Sequence, residues 1–399
     1  MNQPAERSTD EELLALAHAI ADPDHPVKRD MATWAAGSLA GHDRLDADAS
    51  SAFAVDDWRR CADHGVFRLM VPRELGGAGC GIADVLLALE GLGKGCRDNG
   101  LTFAVGSQVL STQDALVEFG SAEQQRRWLQ PMMDGSAIGA FAMTEPETGS
   151  DAYNISTTAE RRPDGSYVVN GHKAYITFGS VCDMVVTFAS TDPSAGQWGL
   201  SAFLVPCDLD GVERLGNREK MGMRTTPFGD IGFTDVVVPE SALLGREGAG
   251  ASIFNAVLQV ERAFVFATQI GALDRQLDEA IRYAQEREQG GRRIGEYQAI
   301  AHRLVDMKQR HETARLFLYR AAIAMVSGRD FTLSAALAKL VGSETGVSVA
   351  LDAGTIHGAK GYVTEFEVER NLRDAVGGLV YSGTSDIQRN IIARLLGVG

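Results

Sequence analysis

Apolar residues return at three- and four-residue spacing along most of the chain, the pattern of amphipathic helices. Leu13, Leu14, Leu16 and Ala17 make such a face over Asp10–Asp22, and Pro23 and Pro26 end it. The pattern resumes at Val55, where Trp58 and Cys61 lead to His64-Gly65, and Val71-Pro72 and Gly76-Gly77 form a loop. Further helices are predicted over Ile82–Lys94 and Gly106–Phe119. Ser121-Ala-Glu-Gln124 has capping-box spacing, so another helix begins there and runs through Leu129.

Between Ile138 and Pro239 the period shortens to that of strands. Ile138–Met143, Tyr167–Val169, Ala174–Thr177, Met184–Ser190, Leu200–Val205 and Gly232–Val238 are rich in β-forming residues. Asp164-Gly165 and Asn170-Gly171 read as turns of antiparallel hairpins. No proline follows Pro239, and long helical runs span Ala251–Arg287, Gln298–Val326, Leu333–Ala353 and Ser385–Leu396, with a shorter one over Val368–Asp374. The predicted organisation is a peripheral N-terminal arm (1–50), an N-terminal helical domain (51–136), a middle β-domain (137–245) and a C-terminal bundle of four packed helices (246–399). The fold class is therefore mostly α with a central antiparallel β-domain.

One charge interrupts an apolar helix face. Glu261 has Val257, Leu258, Phe264 and Val265 as its neighbours at three and four residues. A carboxylate held in hydrocarbon is desolvated, becomes a stronger proton acceptor when ionised, and so has the profile of a general base. The ordinary reading of Glu261-Arg262 is a solvated or structural ion pair.

With 399 residues, 45% of them hydrophobic, the chain has material for two or three domains. A net charge of -15 argues against a nucleic-acid surface. Cys61, Cys80, Cys96, Cys182 and Cys207 have no disulfide or zinc spacing, and His302 and His311 lack that of a ligand pair, so no metal is expected. Met1–Glu12 has neither a basic nor an apolar leader region and no apolar run reaches the ~20 residues of a membrane span, so a cytoplasmic protein is expected. Gly91, Gly93 and Gly95 fail as a dinucleotide loop, because Cys96 stands near the third glycine's place and no strand precedes them.

At the end of the first predicted strand stands Ala142-Met-Thr-Glu-Pro-Glu-Thr-Gly-Ser-Asp151, a polar turn whose N–H and hydroxyl groups suit a planar heterocycle or a phosphate. This segment resembles the T-E-P-x-x-G-S-D turn of the acyl-CoA dehydrogenases, a flavoprotein family. Lys173-Ala-Tyr-Ile-Thr177, Lys220-Met-Gly-Met-Arg-Thr225, and Arg287-Glu-Gln-Gly-Gly291 with Tyr297-Gln298 resemble further blocks of that family. His357-Gly-Ala-Lys-Gly-Tyr362, Arg370-Asn-Leu-Arg-Asp374 and Tyr381-Ser-Gly-Thr-Ser-Asp-Ile-Gln-Arg389 resemble its last signatures, in the family's order.

The resemblance implies an acyl-CoA dehydrogenase-like fold with a β-barrel-like middle domain, and FAD as cofactor. The flavin ring would meet Met143, Thr144, Ser150, Tyr175 and Thr177; Arg287 and Gln298, from a neighbouring subunit, with Gly358, Ala359, Thr384 and Asp386, would hold the pyrophosphate and adenosine. Gly290 departs from the family's Phe, Thr355 and Ala359 modify its glycine-rich block, and Ser382 stands where many members carry the catalytic Glu. A minority of the family carries its base on the helix of Glu261 with a small residue at the other site, the combination found here. The implied reaction is α,β-dehydrogenation of an acyl thioester, with Glu261 removing the α-proton, the Ser382 backbone N–H polarising the carbonyl and Arg262 ordering the nearby loop.

Gly95–Gly100, Met143–Glu147 and Ile387–Ile391 are similar to dehydrogenases of polyketide and peptide assembly lines, so the thioester is on CoA or on an acyl carrier protein. Electron-transfer flavoprotein or another acceptor, and a homotetramer or dimer, are the implied partners. The rival readings are a flavin-dependent oxidase or monooxygenase of the same fold, disfavoured by Glu261 and the intact turn, and a non-catalytic homologue, suggested only by Ser382.

Overall fold

The computed structural model describes residues 8–39 and 44–398. Eight helices come first: α1 (Thr9–Ala21), α2 (Pro26–Ser38), α3 (Arg44–Ser50), α4 (Val55–Asp63), α5 (Ile82–Gly95), α6 (Asn99–Ser107), α7 (Asp114–Phe119) and α8 (Ala122–Met133). The strands β1 (Gly139–Ala142), β2 (Thr158–Arg161), β3 (Tyr167–Thr177), β4 (Met184–Ser190), β5 (Leu200–Pro206), β6 (Val212–Asn217), β7 (Phe228–Val238) and β8 (Leu243–Leu244) follow. After them come α9 (Gly250–Phe264), α10 (Ala267–Glu286), the small hairpin β9 (Glu288–Gln289) and β10 (Arg292–Arg293), and the helices α11 (Gln298–Val326), α12 (Thr332–His357), α13 (Val368–Gly377) and α14 (Ser385–Leu395). The chain has the acyl-CoA dehydrogenase-like order of helices, sheet, helices.

Strands β1 to β8 form one sheet in the order β6-β7-β3-β2-β4-β5-β8, with β1 added against β4. It is antiparallel except where β1 and the end of β2 lie parallel to β4. Strands β2 and β6 were not predicted, because β6 is largely exposed and neither carries an apolar face. Asn170-Gly171 is not a turn: β3 runs through it with a register shift against β7. A Cβ on Gly171 would lie 2.3 Å from Thr157 Oγ1, so the glycine serves close approach of β3 to the segment before β2. Asp164-Gly165 does join β2 to β3, which pair antiparallel.

Among the described residues of this first segment, α1 and α2 do not form a peripheral arm. Leu16 and Ala19 of α1 and Met31 and Ala35 of α2 are buried in the same core as α5. Lys28 is buried on α2, its Nζ donating to Asp274 Oδ2 at 2.8 Å, with Glu90 Oε2 at 3.5 Å. The periodicity could show that the segment has an apolar face, but not what would cover it.

The glycines of α5 explain that cover. A Cβ on Gly91 would lie 2.3 Å from the carbonyl oxygen of Lys28, and one on Gly95 would lie 2.2 Å from that of Ala32, both on α2. Gly93 faces the other way, where a Cβ would lie 1.7 Å from the carbonyl oxygen of Thr268 on α10. Gly271 of α10 answers it, its hypothetical Cβ 1.9 Å from the Glu90 carbonyl oxygen. Helix α5 is thus gripped backbone-to-backbone between α2 and α10, an approach that side chains would forbid.

Two helices differ from their predicted extents. The run from Asn99 to Phe119 is helical throughout, with a π-helical stretch over Gln108–Gln113. Within it Gln108 Oε1 accepts from Gly139 N at 3.2 Å, and Thr112 Oγ1 donates to Gly139 O at 3.3 Å, so the irregular turn holds the start of β1. The run from Ala251 to Arg287 breaks at Val265-Phe266 into α9 and α10. Neither residue is a helix breaker; both are buried, and Phe266 packs on Tyr381 with ring centroids 5.3 Å apart.

The helix crossing can be tested by the sign of a glycine substitution. Alanine is favoured over glycine in a helix by ~1 kcal/mol, so Gly37→Ala, with open space around it on α2, should stabilise. Gly93→Ala should instead lose ~1–3 kcal/mol through backbone displacement. Denaturant unfolding midpoints of the two variants would check this.

Candidate active site

Helix α9 is fixed to the sheet by its first half. Phe254 stacks 6.3 Å from Phe141 of β1 and meets Phe188 of β4 edge-on at 5.6 Å, and Tyr153 Oη donates to Asn255 Oδ1 at 2.6 Å. Its last turn carries Glu261, where Ser382 Oγ donates to Glu261 Oε1 at 2.6 Å. Ser382 has φ +54° and Gly383 φ +84°, a tight turn before α14 held by Gln388, whose Nε2 donates to the carbonyl oxygens of Ser382 at 3.3 Å and Gly383 at 2.9 Å. Tyr381 lies between Phe103, at 4.6 Å, and Phe266. Sequence periodicity foresaw the apolar setting of Glu261; it carried no sign of the Ser382 hydroxyl, which lies 121 residues away in the chain.

Burial raises the Glu261 carboxyl above its ordinary value, and the Ser382 hydroxyl and the Arg262 charge act against that rise. Arg262 is itself half-buried: burial lowers its guanidinium, Glu261 and Tyr153 oppose the change, and its Nε has no hydrogen-bond partner among the described residues. Lys339 of α12 is fully buried, also lacks a partner there, and is pushed down to about 8 by burial and by the Arg262 charge. A carboxylate with a raised proton affinity thus stands beside a region of under-paired positive charge. A small cleft also adjoins Tyr381, lined by Asn99, Phe103, Met223, Gln269 and Asn371 among others.

The polar turn after β1 is built around Glu145. Its carboxylate accepts from Ser156 N and Oγ at 2.6 Å, from Thr157 N at 3.0 Å and Oγ1 at 2.5 Å, and from Lys173 Nζ at 2.9 Å. Burial alone would raise this carboxyl; Lys173 and the two hydroxyls outweigh it and hold it at about 2. The same Lys173 donates to Met143 O at 3.1 Å, and Ala174 N donates to Thr144 O at 2.9 Å, which sets Met143 and Thr144 beside the strand of Tyr175 and Thr177. Tyr175 has φ +61°, is 51% exposed, and has the Arg218 guanidinium 4.7 Å from its ring centre. Ser150 and Gly149 are exposed, while Thr148 Oγ1 is buried without a partner among the described residues.

The remaining expected cofactor residues lie elsewhere. Arg287 caps the C-terminal end of α10 and Gln298 opens α11; both are exposed, and Ile294 N donates to Arg287 O at 2.8 Å across the β9–β10 hairpin. Gly358 and Ala359 are exposed just past the end of α12, where His357 stacks 4.4 Å from Tyr283 of α10. The whole of α10 separates Arg287 from the α9 end that carries Glu261, ~30 Å at 1.5 Å per residue. Thr384 caps α14, its Oγ1 accepting from Ile387 N at 3.2 Å, and Asp386 is exposed in the first turn, 3.4 Å from Arg389.

Residues 26–136, 140–236 and 248–397 match, in turn, the N-terminal, middle and C-terminal domains described for acyl-CoA dehydrogenases. The chain is 40% identical over 344 residues to an L-prolyl-[peptidyl-carrier protein] dehydrogenase of Pseudomonas fluorescens, covering 86% of this chain and 90% of that one. Among solved structures it is similar to the prolyl acyl carrier protein oxidase AnaB, with a TM-score of 0.91, 39% identity and coverage of 93% and 98%. It is also similar to PigA solved with FAD and proline, with a TM-score of 0.89, 34% identity and coverage of 93% and 97%.

The Glu145 network makes the turn acid-sensitive. A carboxyl held at about 2 in the fold and near 4.3 when unfolded contributes stability above that unfolded value and loses it as pH falls toward about 2. Amide exchange over residues 144–150 should accelerate through that window. Lys173→Met, which removes the principal charge partner, should move the acceleration to higher pH.

Proposed function

The chain belongs to the acyl-CoA dehydrogenase family, and from that premise we propose that it is an FAD-dependent oxidoreductase that introduces an α,β double bond into an acyl thioester. The observation that carries the reading is the contact of Glu261 with Ser382 at the seam between α9 and the turn before α14. The residues present suit FAD. The turn 143–150 offers the unpaired Thr148 hydroxyl and an open glycine, and the exposed ring of Tyr175 presents a flat apolar face next to it. Bound FAD would accept the two electrons removed from the substrate.

Glu261 is the base in this reading. Its apolar helix neighbours and its depth in the protein raise its proton affinity toward what abstraction of a thioester α-proton requires. The backbone N–H of Ser382 is the donor to the thioester carbonyl, and one such donor typically contributes about 3 to 4 kcal/mol at the transition state. Arg262 supports the site through its charge, which favours the ionised form of Glu261. Met143, Thr144, Ser150, Tyr175 and Thr177 hold the flavin ring, and Thr384 and Asp386 belong to the same cofactor's phosphate side.

Arg287 and Gln298 take a different part. Being ~30 Å of helix away from Glu261, they serve the cofactor of a second copy of this chain, together with Gly358 and Ala359, so the active enzyme is a dimer or tetramer. A guanidinium suits that role because it forks onto phosphate oxygens.

The substrate proposed is an amino acyl group of the prolyl kind on a carrier protein, in an assembly-line pathway of the polyketide or peptide type, following the names of the relatives. Electron-transfer flavoprotein is the first acceptor to test. No helix of the described residues is long and apolar enough to cross a membrane.

Two outcomes are expected. Glu261→Gln should retain FAD while its flavin is no longer bleached anaerobically by substrate, and an ordinary bleaching rate in that variant would remove Glu261 as the base. Prolyl thioester on a carrier protein should bleach the wild-type flavin faster than butyryl-CoA; the reverse order would return the substrate to the CoA esters.

A further inference from the structure

The turn that carries Ser382 holds a serine in a backbone conformation that suits glycine. At φ +54° a side chain crowds its own carbonyl, and the next residue, Gly383 at φ +84°, shows what such a turn accepts without strain. A turn needing only its shape, or only the N–H of residue 382, would be better served by a second glycine. What the serine adds is its hydroxyl, whose sole proton is given to Glu261 Oε1 at 2.6 Å. Glu261 Oε2 has no hydrogen-bond partner among the described residues.

We propose that Ser382 is a positioning residue for the reaction: its hydroxyl anchors one oxygen of the Glu261 carboxylate and leaves the other free to meet the substrate. The inference rests on the reading of Glu261 as base. A carboxylate on a helix end rotates about its last torsions unless something fixes it, and a misplaced base loses rate steeply. A hydroxyl donor fixes it while favouring the ionised form, because it can donate to a carboxylate without competing for the lone pair that takes the proton. The other groups acting here are Arg262 on the same helix, Tyr381 from the same turn as Ser382, and, through Arg262, Tyr153 of the β-domain and Lys339 of α12. Asp114, at the start of α7, is raised by burial and by Glu118, not by Glu261. None of these other groups makes a hydrogen bond to Glu261, so among the described residues the serine is its only direct anchor.

The test compares Ser382→Ala and Ser382→Gly with wild type in the flavin-loaded enzyme, with Glu261→Gln as reference. Two quantities are read: the pH profile of anaerobic flavin reduction by substrate, and the infrared band of the protonated Glu261 carboxyl, isolated by difference against Glu261→Gln without substrate. Both variants should shift the acid limb and the appearance of that band to higher pH. They should slow reduction on the acid side by on the order of tenfold, and less on the alkaline side. Ser382→Gly should melt no lower than wild type, since the glycine relieves the turn, which separates the effect from misfolding. An acid limb and a carboxyl band unmoved in Ser382→Gly would overturn the inference. If the band moves but Glu261→Gln still reduces flavin at an ordinary rate, the hydrogen bond stands and the base assignment fails, which overturns the positioning role with it.

Discussion

Everything in the site depends on how closely three helices can approach. Gly91 and Gly95 let α2 lie on one side of α5, and Gly93 with Gly271 lets α10 lie on the other, each at backbone distance. That contact makes α2 part of the core and anchors α10 against the N-terminal helices. With α10 anchored, the break at Val265-Phe266 sends α9 off in its own direction, where Phe254 and Asn255 attach it to the sheet. Glu261 is therefore held by three parts of the fold at once: the N-terminal helices through α10, the sheet through α9, and the turn before α14 through Ser382.

The charges show the same division of labour. Buried Glu145 gathers five hydrogen bonds, one of them from Lys173, so it is held ionised and shapes a turn. Glu261 has one hydroxyl and an adjacent guanidinium, too few to overcome its burial, so its proton affinity stays raised. Two carboxylates of the same type are set apart by the number of donors that reach them, one held ionised and one with a raised proton affinity.

The Ser382 hydroxyl faces the Glu261 carboxylate across the seam between α9 and the turn before α14. With Glu261 as the proposed base, the turn before α14 need supply no proton acceptor. In that proposed reading it steadies the acceptor through the Ser382 hydroxyl and offers its backbone N–H to a carbonyl.

Helices with a strong apolar stripe, the Ser121 cap, the central β-region and the greasy surroundings of Glu261 were all legible in the order of residues, because each is a local pattern in which neighbours three or four apart decide the outcome. The Asp164-Gly165 turn was legible for the same reason. Asn170-Gly171 was misread, because the same dipeptide serves a tight turn or a close strand contact, and only Thr157 lying against Gly171 distinguishes them. The glycines of α5 looked like a failed phosphate loop until α2 and α10 were seen against them. The break after Phe264, the parallel seat of β1 and the hydroxyl facing Glu261 join residues far apart in the chain; they follow from which surfaces must be buried together, and no local window contains that information.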